Sequence, residues 1–391
     1  MVTCTDLVQN KILAYPYISR TFMKNFRLLF ALVFISNVVF AQLDVPPVAG
    51  NPRATVTEEV GITSISIKYS RPDVNKREGK IWGDGNLVPN GFTTNSFITN
   101  KNTSPWRAGA NEITAITFEH DVKVEGQPLK AGTYGLFIAM APDNATLIFS
   151  AQAEAWGSFY YEDKFDVLRV NVKPVALDKS VEYLKYEFID HKDKSCVIAL
   201  QWEKLSIPFK VEVDTDNIVL ARLREQLVSQ KGFNSTNLIQ AAQFCVTRGI
   251  NLDEALVWSN RAITGNQGQR SYVSLRNLAS VYEKMNRTAQ ADSVMNEALS
   301  LATAVQYTAY GRILISQKKA DKAMEVFTAS QKKFGDVFGV NSGLASGYSA
   351  KGDFANALKY AEKAVAQAPN ENTRKQIEAQ IAKLKEGKDI N

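Results

Sequence analysis

Cysteine and histidine are scarce in this chain. Three cysteines and two histidines among 391 residues leave little room for a disulfide framework or a structural zinc site. No C-x-x-C, H-E-x-x-H or G-x-x-x-x-G-K-[ST] run occurs, so the redox, zinc-protease and phosphate-loop chemistries that such motifs encode are not indicated. A G-x-S-x-G nucleophile elbow is also missing, since Gly343-Leu344-Ala345-Ser346-Gly347 has its serine one place late. Charge of one sign is in short supply too. The 46 basic and 40 acidic side chains leave a formal +6. Half of that excess comes from Lys11, Arg20, Lys24 and Arg27 against Asp6, ahead of residue 42. The remainder is too small to point to a nucleic-acid partner. No metal and no cofactor is expected.

The apolar run from Leu28 to Phe40 is too short to cross a hydrocarbon core of about 30 Å as a helix. Lys24 and Arg27 precede it and Val39-Phe40-Ala41 closes it, which together read as a secretory signal within residues 1–41. Met23 is the expected start and Ala41 the last residue removed. The expectation is an exported protein, periplasmic or extracellular, with no stable membrane insertion after cleavage. An N-terminal membrane anchor is the alternative. Of the remaining cysteines, Cys196 falls in a strand pattern and Cys245 in a helical one. Both read as small buried hydrophobes rather than as a bridge between two halves of the chain.

From about residue 50 to 214 the apolar period is two. Ile65, Ile67 and Tyr69 alternate with Ser64, Ser66 and Lys68, and Ile116 and Phe118 flank Thr117. Further sets are Leu168, Val170 and Val172; Leu184, Tyr186 and Phe188; Ile198, Leu200 and Trp202; and Ile207, Phe209, Val211 and Val213. Such alternation marks strands with one buried face. Eight to ten short strands without intervening helices predict an antiparallel β-sandwich.

At Asp214-Thr215-Asp216 the period changes. Ile218, Leu220, Leu223 and Leu227 follow at helical spacing, giving a connecting helix over 215–232 that Gly232 can end. Beyond it, small residues recur where antiparallel helices must cross closely. Ala242, Ala279, Gly311 and Ala345 form one set; Ala255, Ala291, Ala323 and Ala357 a second; Ala262, Ala298, Ser330 and Ala364 a third. The spacing near 34 residues resembles the tetratricopeptide repeat, TPR. The last copy carries Leu344, Ala345, Tyr348, Gly352, Ala357, Ala364 and Pro369 where that family places them. Four copies and a capping helix fill 236–385. The fold class expected is therefore α+β in two domains, an N-terminal antiparallel β-sandwich followed by a C-terminal all-α TPR-like superhelix.

The sandwich half carries Pro52-Arg53-Ala54-Thr55-Val56 with Tyr69-Ser70-Arg71-Pro72, then Trp106-Arg107-Ala108-Gly109-Ala110-Asn111-Glu112, and Ala131-Gly132-Thr133-Tyr134. Through these runs it resembles DUF2911, a family of unknown function found mainly in exported proteins of Bacteroidetes. The resemblance brings no reaction with it. Phe92 to Pro105 is a longer polar insertion than the family pattern has.

Candidate ligand-binding residues of this half are Trp106, Arg107, Asn111 and Glu112. An arginine can clamp a carboxylate or sulfate, Asn and Glu can bind hydroxyls, and Trp can stack on a sugar. The structural alternative is an Arg107–Glu112 pair beside a core Trp106. Trp82, Trp156, Phe159, Tyr160 and Tyr161 are further aromatics that suit either a carbohydrate or packing. His120 and His191 read as surface or hydrogen-bonding residues.

In the repeat half, Arg276, Asn277, Tyr307, Arg312 and Asn341 are candidates for peptide binding, on the first helices that line the concave face in this family. Lys318, Lys319, Lys322, Lys332 and Lys333 read as a solvated outer face. Two readings of function result. One is a non-enzymatic envelope protein whose TPR groove binds a protein or peptide partner. The other is a sandwich that binds, or hydrolyses, a glycan or small ligand through Trp106–Glu112, with the repeats only localising it.

Overall fold

The computed structural model describes residues 50–94 and 103–391. The expected signal segment and the middle of the 92–105 insertion lie outside the described residues. The first strands are β1 (Arg53–Val60), β2 (Thr63–Ser70), β3 (Thr93–Thr94), β4 (Thr103–Ser104), β5 (Thr114–Phe118) and β6 (Val122–Val124). They continue with β7 (Gln127–Leu129), β8 (Gly132–Met140), β9 (Ala145–Ser150), β10 (Asp166–Val172), β11 (Val175–Lys192) and β12 (Ser195–Val213). A six-stranded antiparallel sheet has the order β1-β2-β5-β8-β9-β10, and a four-stranded one the order β11-β12-β6-β7. β3 and β4 pair separately. Neither large sheet closes on itself.

The alternation decides which face is buried. Ile65, Ile67, Ile116, Phe118, Leu136, Leu147 and Phe149 of the first sheet meet Ile198, Leu200, Trp202, Phe209 and Val211 of the second in one core. Phe149 lies edge-on to Phe209 with centroids 6.3 Å apart. β11 and β12, at 18 and 19 residues, are longer than the short strands expected. The reason lies in β12: its apolar parity flips between Trp202 and Ile207. Glu203 has a φ of +52° and lies where the chain reverses, and the register against β11 shifts there. The Val213 amide bonds to the Lys194 carbonyl at 2.8 Å, so Ser195–Val213 doubles back on itself, and the two apolar sets that the sequence pattern shows are its two arms, both facing the core.

Ten helices follow among the described residues: α1 (Thr215–Leu227), α2 (Ser235–Arg248), α3 (Leu252–Thr264), α4 (Tyr272–Lys284) and α5 (Thr288–Leu301), then five more. These are α6 (Ala304–Ser316), α7 (Ala320–Phe334), α8 (Phe338–Ala350), α9 (Phe354–Ala366) and α10 (Glu371–Lys385). α1 ends at Leu227, before Gly232, and a short 3-10 turn occupies Gln230–Phe233. A Cβ at Gly232 would lie 1.8 Å from the Leu227 carbonyl oxygen, so the glycine serves close packing after the helix rather than its C-cap. Ser271 and Thr303 form capping boxes at α4 and α6, which satisfy amides that a helix start leaves free. All three sets of small residues are buried, and they let the antiparallel pairs approach. No described helix is long and apolar enough to cross a membrane.

Candidate functional site

The Trp106–Glu112 segment is a tight turn whose own groups hold it in place. Trp106 pairs with Ile138 of β8, and its Nε1 donates to the Gly109 carbonyl at 3.1 Å. Its ring stacks on Trp202 and meets Trp82 edge-on, with centroids 6.1 and 5.5 Å away. Ala108 and Asn111 have φ of +53° and +58°, a region that costs non-glycine residues energy unless the surroundings fix it. Here Tyr186 and Thr114 both donate their hydroxyls to the Ala108 carbonyl, at 2.8 and 2.9 Å. Ala110 N–H donates to the Ser70 carbonyl at 3.2 Å, and a Cβ on Gly109 would approach that same oxygen to 3.1 Å.

This turn directs Glu112 away from Arg107. Glu112 pairs instead with Arg53 of β1 and accepts from the Ser70 hydroxyl at 3.0 Å. Partial burial opposes ionisation of Glu112, but a backbone amide, Ser70 and Arg53 outweigh it and hold the carboxyl below its ordinary range. The Arg107–Glu112 pair is thus corrected. Arg107 lies half-buried, with desolvation lowering its pKa and no hydrogen-bond partner for its Nε among the described residues.

Arg53, Ser70 and Glu112 edge a groove of about 540 Å³ on the outer face of the six-stranded sheet. Its floor is the polar half of the alternation: Thr55, Ser66, Lys68, Ala115, Thr117 and Thr133. Thr117 and Thr133 hydroxyls bond each other at 2.9 Å. Ala153, Glu154 and Ala155 form one wall, carried by a segment that crosses directly over Gly135. Of the four predicted residues, only Glu112 lines this groove. Arg53, Lys68 and Glu154 were missed, and the signal for the first two was available: they are the outward members of the strand pattern.

In the repeats, the predicted residues separate into two groups. Asn277 is buried, accepts from Ser259 at 2.8 Å and donates to the Ile239 carbonyl at 3.4 Å, so it ties α4 to α3 and α2. Asn341 is buried and donates to Asp336 and Gln367 at 2.5 and 2.8 Å. Tyr307 packs edge-on to Phe334 at 5.8 Å. These three hold the fold and present no open surface. Arg276 and Arg312 are exposed. Arg312 reaches from α6 to α8, donating to Ser342 and Ser346 at 2.9 and 3.4 Å. Beside these arginines, at helical spacing, Val273 is 54% and Val305 65% exposed, and Ala309 is exposed as well.

Residues 51–211 match the family described as a protein of unknown function, DUF2911. This segment is a DUF2911 domain. Residues 274–304 and 342–375 each match a tetratricopeptide-repeat family, the first over α4 and α5 and the second over α8, α9 and the start of α10. Among solved structures, the chain is similar to TTC0263, a thermophilic TPR protein in Thermus thermophilus. The identity is 19% over 44% of this chain and 90% of that one, at a TM-score of 0.30. Pseudomonas aeruginosa pilF is similar at 21% identity over 40% of this chain and 71% of its own, at 0.28. A chain of the APC/C hetero-tetramer Cut9-Hcn1 is similar at 13% identity and 0.30, covering 44% of this chain and 33% of its own. This chain thus spans about a third of that relative. Comparison with curated proteins returned no match.

The remaining aromatics of the DUF2911 domain divide as well. Trp82 packs with Trp106 and Trp202. Tyr161 donates to Asp166 at 2.7 Å and meets Phe137 edge-on at 5.1 Å. Trp156 and Tyr160 are 54% and 63% exposed, just beyond the wall of the groove in sequence. His120 Nδ1 bonds Thr63 at 3.1 Å and His191 Nδ1 meets Glu58 at 2.5 Å, both away from the groove. Cys196 and Cys245 are buried and free. Burial, the larger cause, pushes their thiols up to about 12 and about 11, far from the reactive thiolate range. In the TPR region, Lys333 does more than solvate a face. It donates to the carbonyls of Leu299, Ser300 and Ala302 at 3.3, 2.7 and 3.3 Å, satisfying the C-terminal end of α5. Among the described residues no group of three or more His, Cys, Asp or Glu side chains is placed to hold a metal ion.

Proposed function

We propose that this chain is an exported, non-enzymatic binding protein whose TPR region holds an extended segment of a partner protein along α4 and α6. The observation that carries the reading is the exposed stripe of Val273, Arg276, Val305, Ala309 and Arg312 on helices whose other faces are packed. Exposed valines beside arginines suit a peptide with aliphatic and acidic side chains. Export is supported by the basic and apolar pattern from Lys24 to Ala41. The test uses residues 42–391 as bait in an envelope extract, beside the double variant Arg276→Glu, Arg312→Glu. A partner bound by the native chain is expected to bind the variant at least about tenfold more weakly, at an unchanged melting temperature. A partner retained equally by both would overturn the reading.

The groove of the DUF2911 domain favours a second, compatible reading, in which it takes a small polar ligand such as a sugar or amino acid. Its hydroxyl floor and the exposed Lys68 and Glu154 offer donors and acceptors of both signs. A thermal-shift series with saccharides and amino acids should find a compound that stabilises the native chain but not Lys68→Ala. Stabilisation that survives Lys68→Ala would place the ligand elsewhere.

A further inference from the structure

The inner faces of the first helices differ from one copy to the next. Val273, Arg276 and Glu283 of α4 are exposed, as are Val305 and Arg312 of α6. At matching positions α8 carries Gly339, Ser342, Ser346 and Ser349, and all four are buried. Arg312 covers part of this face. Gly339 packs against Ala304 and Val305 of α6, and the segment after α10 covers the end of the face at Ser346 and Ser349. Gly387, with φ of +70°, turns the chain as its amide and that of Lys388 bond to the Leu384 and Lys383 carbonyls, both at 3.0 Å. The chain then lies on α8.

Its contacts there are those of a bound peptide. Ser349 donates its hydroxyl to the Asp389 carboxylate at 2.6 Å and accepts from the Ile390 amide at 3.1 Å. Asn391 donates from its side chain to the Ser346 carbonyl of the helix at 3.0 Å. Only small side chains on α8 allow a second chain to come that close to helix backbone. Ile390 packs against the cluster of Ala345, Ala357, Ala361, Ala364, Ile377 and Leu384. Desolvation of Asp389 opposes its charge, but hydrogen bonds from Ser349, Asn391 and backbone amides outweigh it.

We infer that Gly387–Asn391 is an intramolecular occupant of a peptide seat on α8, and that a partner segment presenting aspartate followed by an aliphatic residue and an amide must displace it. This rests on the protein-binding reading of the TPR region and names the chemistry of one of its sites. A tether this short gives the occupant a high effective concentration. The seat is thereby masked, and a competing peptide binds only in proportion to the unmasked fraction.

The experiment titrates the synthetic peptide of residues 385–391 into isotope-labelled protein and follows the amides of Ser342, Ser346 and Ser349. Residues 42–386 are expected to show saturable shifts at these amides. Residues 42–391 should need at least about tenfold more peptide, and a peptide with alanine in place of Asp389 should lose at least about tenfold in affinity. Absence of saturation at millimolar peptide in the folded shortened chain would overturn the inference, as would equal titration of both chains. If shortening unfolds α10, Asp389→Ala in residues 42–391 replaces it. That variant should bind the native peptide more tightly than the native chain does, and unchanged binding would overturn the inference. Because capture through Arg276 and Arg312 is read separately, a failed seat leaves the broader reading standing.

Discussion

Phe327→Ala should lower the stability of the TPR region by about 3–5 kcal/mol, read from urea unfolding followed by helical circular dichroism. Phe327 of α7 is 1% exposed, and its ring fills a socket made by three glycines. A Cβ at Gly311 of α6 would lie 2.2 Å from the ring, and one at Gly343 or Gly347 of α8 would lie 2.7 Å from it. Each glycine inside a helix costs about 1 kcal/mol relative to alanine. The native chain tolerates them because the ring occupies the space they leave. Removing the ring loses the packing and keeps the glycine cost. Gly343→Ala should therefore destabilise the native chain but stabilise Phe327→Ala, a reversal of sign that a double-mutant cycle detects. Additive effects of the two substitutions would sink this account of the socket.

Gly135→Val is expected to cost about 3 kcal/mol and to dismantle the groove of the DUF2911 domain. Overpacking typically costs about 1–3 kcal/mol, and here the obstruction is backbone. A Cβ at Gly135 would sit 2.2 Å from the Gln152 carbonyl oxygen and 3.0 Å from the Ile113 side chain. A carbonyl cannot rotate away as a side-chain tip can, so the segment carrying Ala153, Glu154 and Ala155 has to lift. Faster hydrogen exchange over residues 151–155 and a lower melting temperature are the expected readouts. A variant that melts with the native chain and keeps that segment protected would show that the wall does not depend on the close approach.

Much of the fold is legible in the sequence because burial imposes a period. Ile65, Ile67, Ile116 and Phe118 alternate as a half-buried sheet requires, and the small residues from Ala242 to Ala364 mark the helix crossings. What escapes is local backbone geometry. Nothing in the spelling of β12 announces that Glu203 takes the left-handed conformation at which the chain doubles back between its two apolar sets. The same holds for the turn after Trp106. Arg107 and Glu112 are neighbours in sequence, yet positive φ at Ala108 and Asn111 sends Glu112 toward Arg53, 59 residues earlier. In the repeats, polarity misleads in a different way. Asn277 and Asn341 are polar because they bond across helices inside the stack, whereas the open stripe includes Val273 and Val305, which a search for polar residues passes over.

A single residue, Asp214, stands between β12 and α1. Thr215 is buried, and a Cβ at Gly61 of the β1–β2 turn would meet it at 2.4 Å. The β11–β12 turn lies beside this join: the Val213 amide bonds to the Lys194 carbonyl at 2.8 Å, Lys194 pairs with Asp216 at 2.5 Å, and Arg248 of α2 pairs with Asp193. A join so short and braced from two sides sets one half against the other at a fixed span. Any molecule that were to engage both halves would have to match that span, and lengthening the join at Asp214 by a few flexible residues would release it while leaving each half intact.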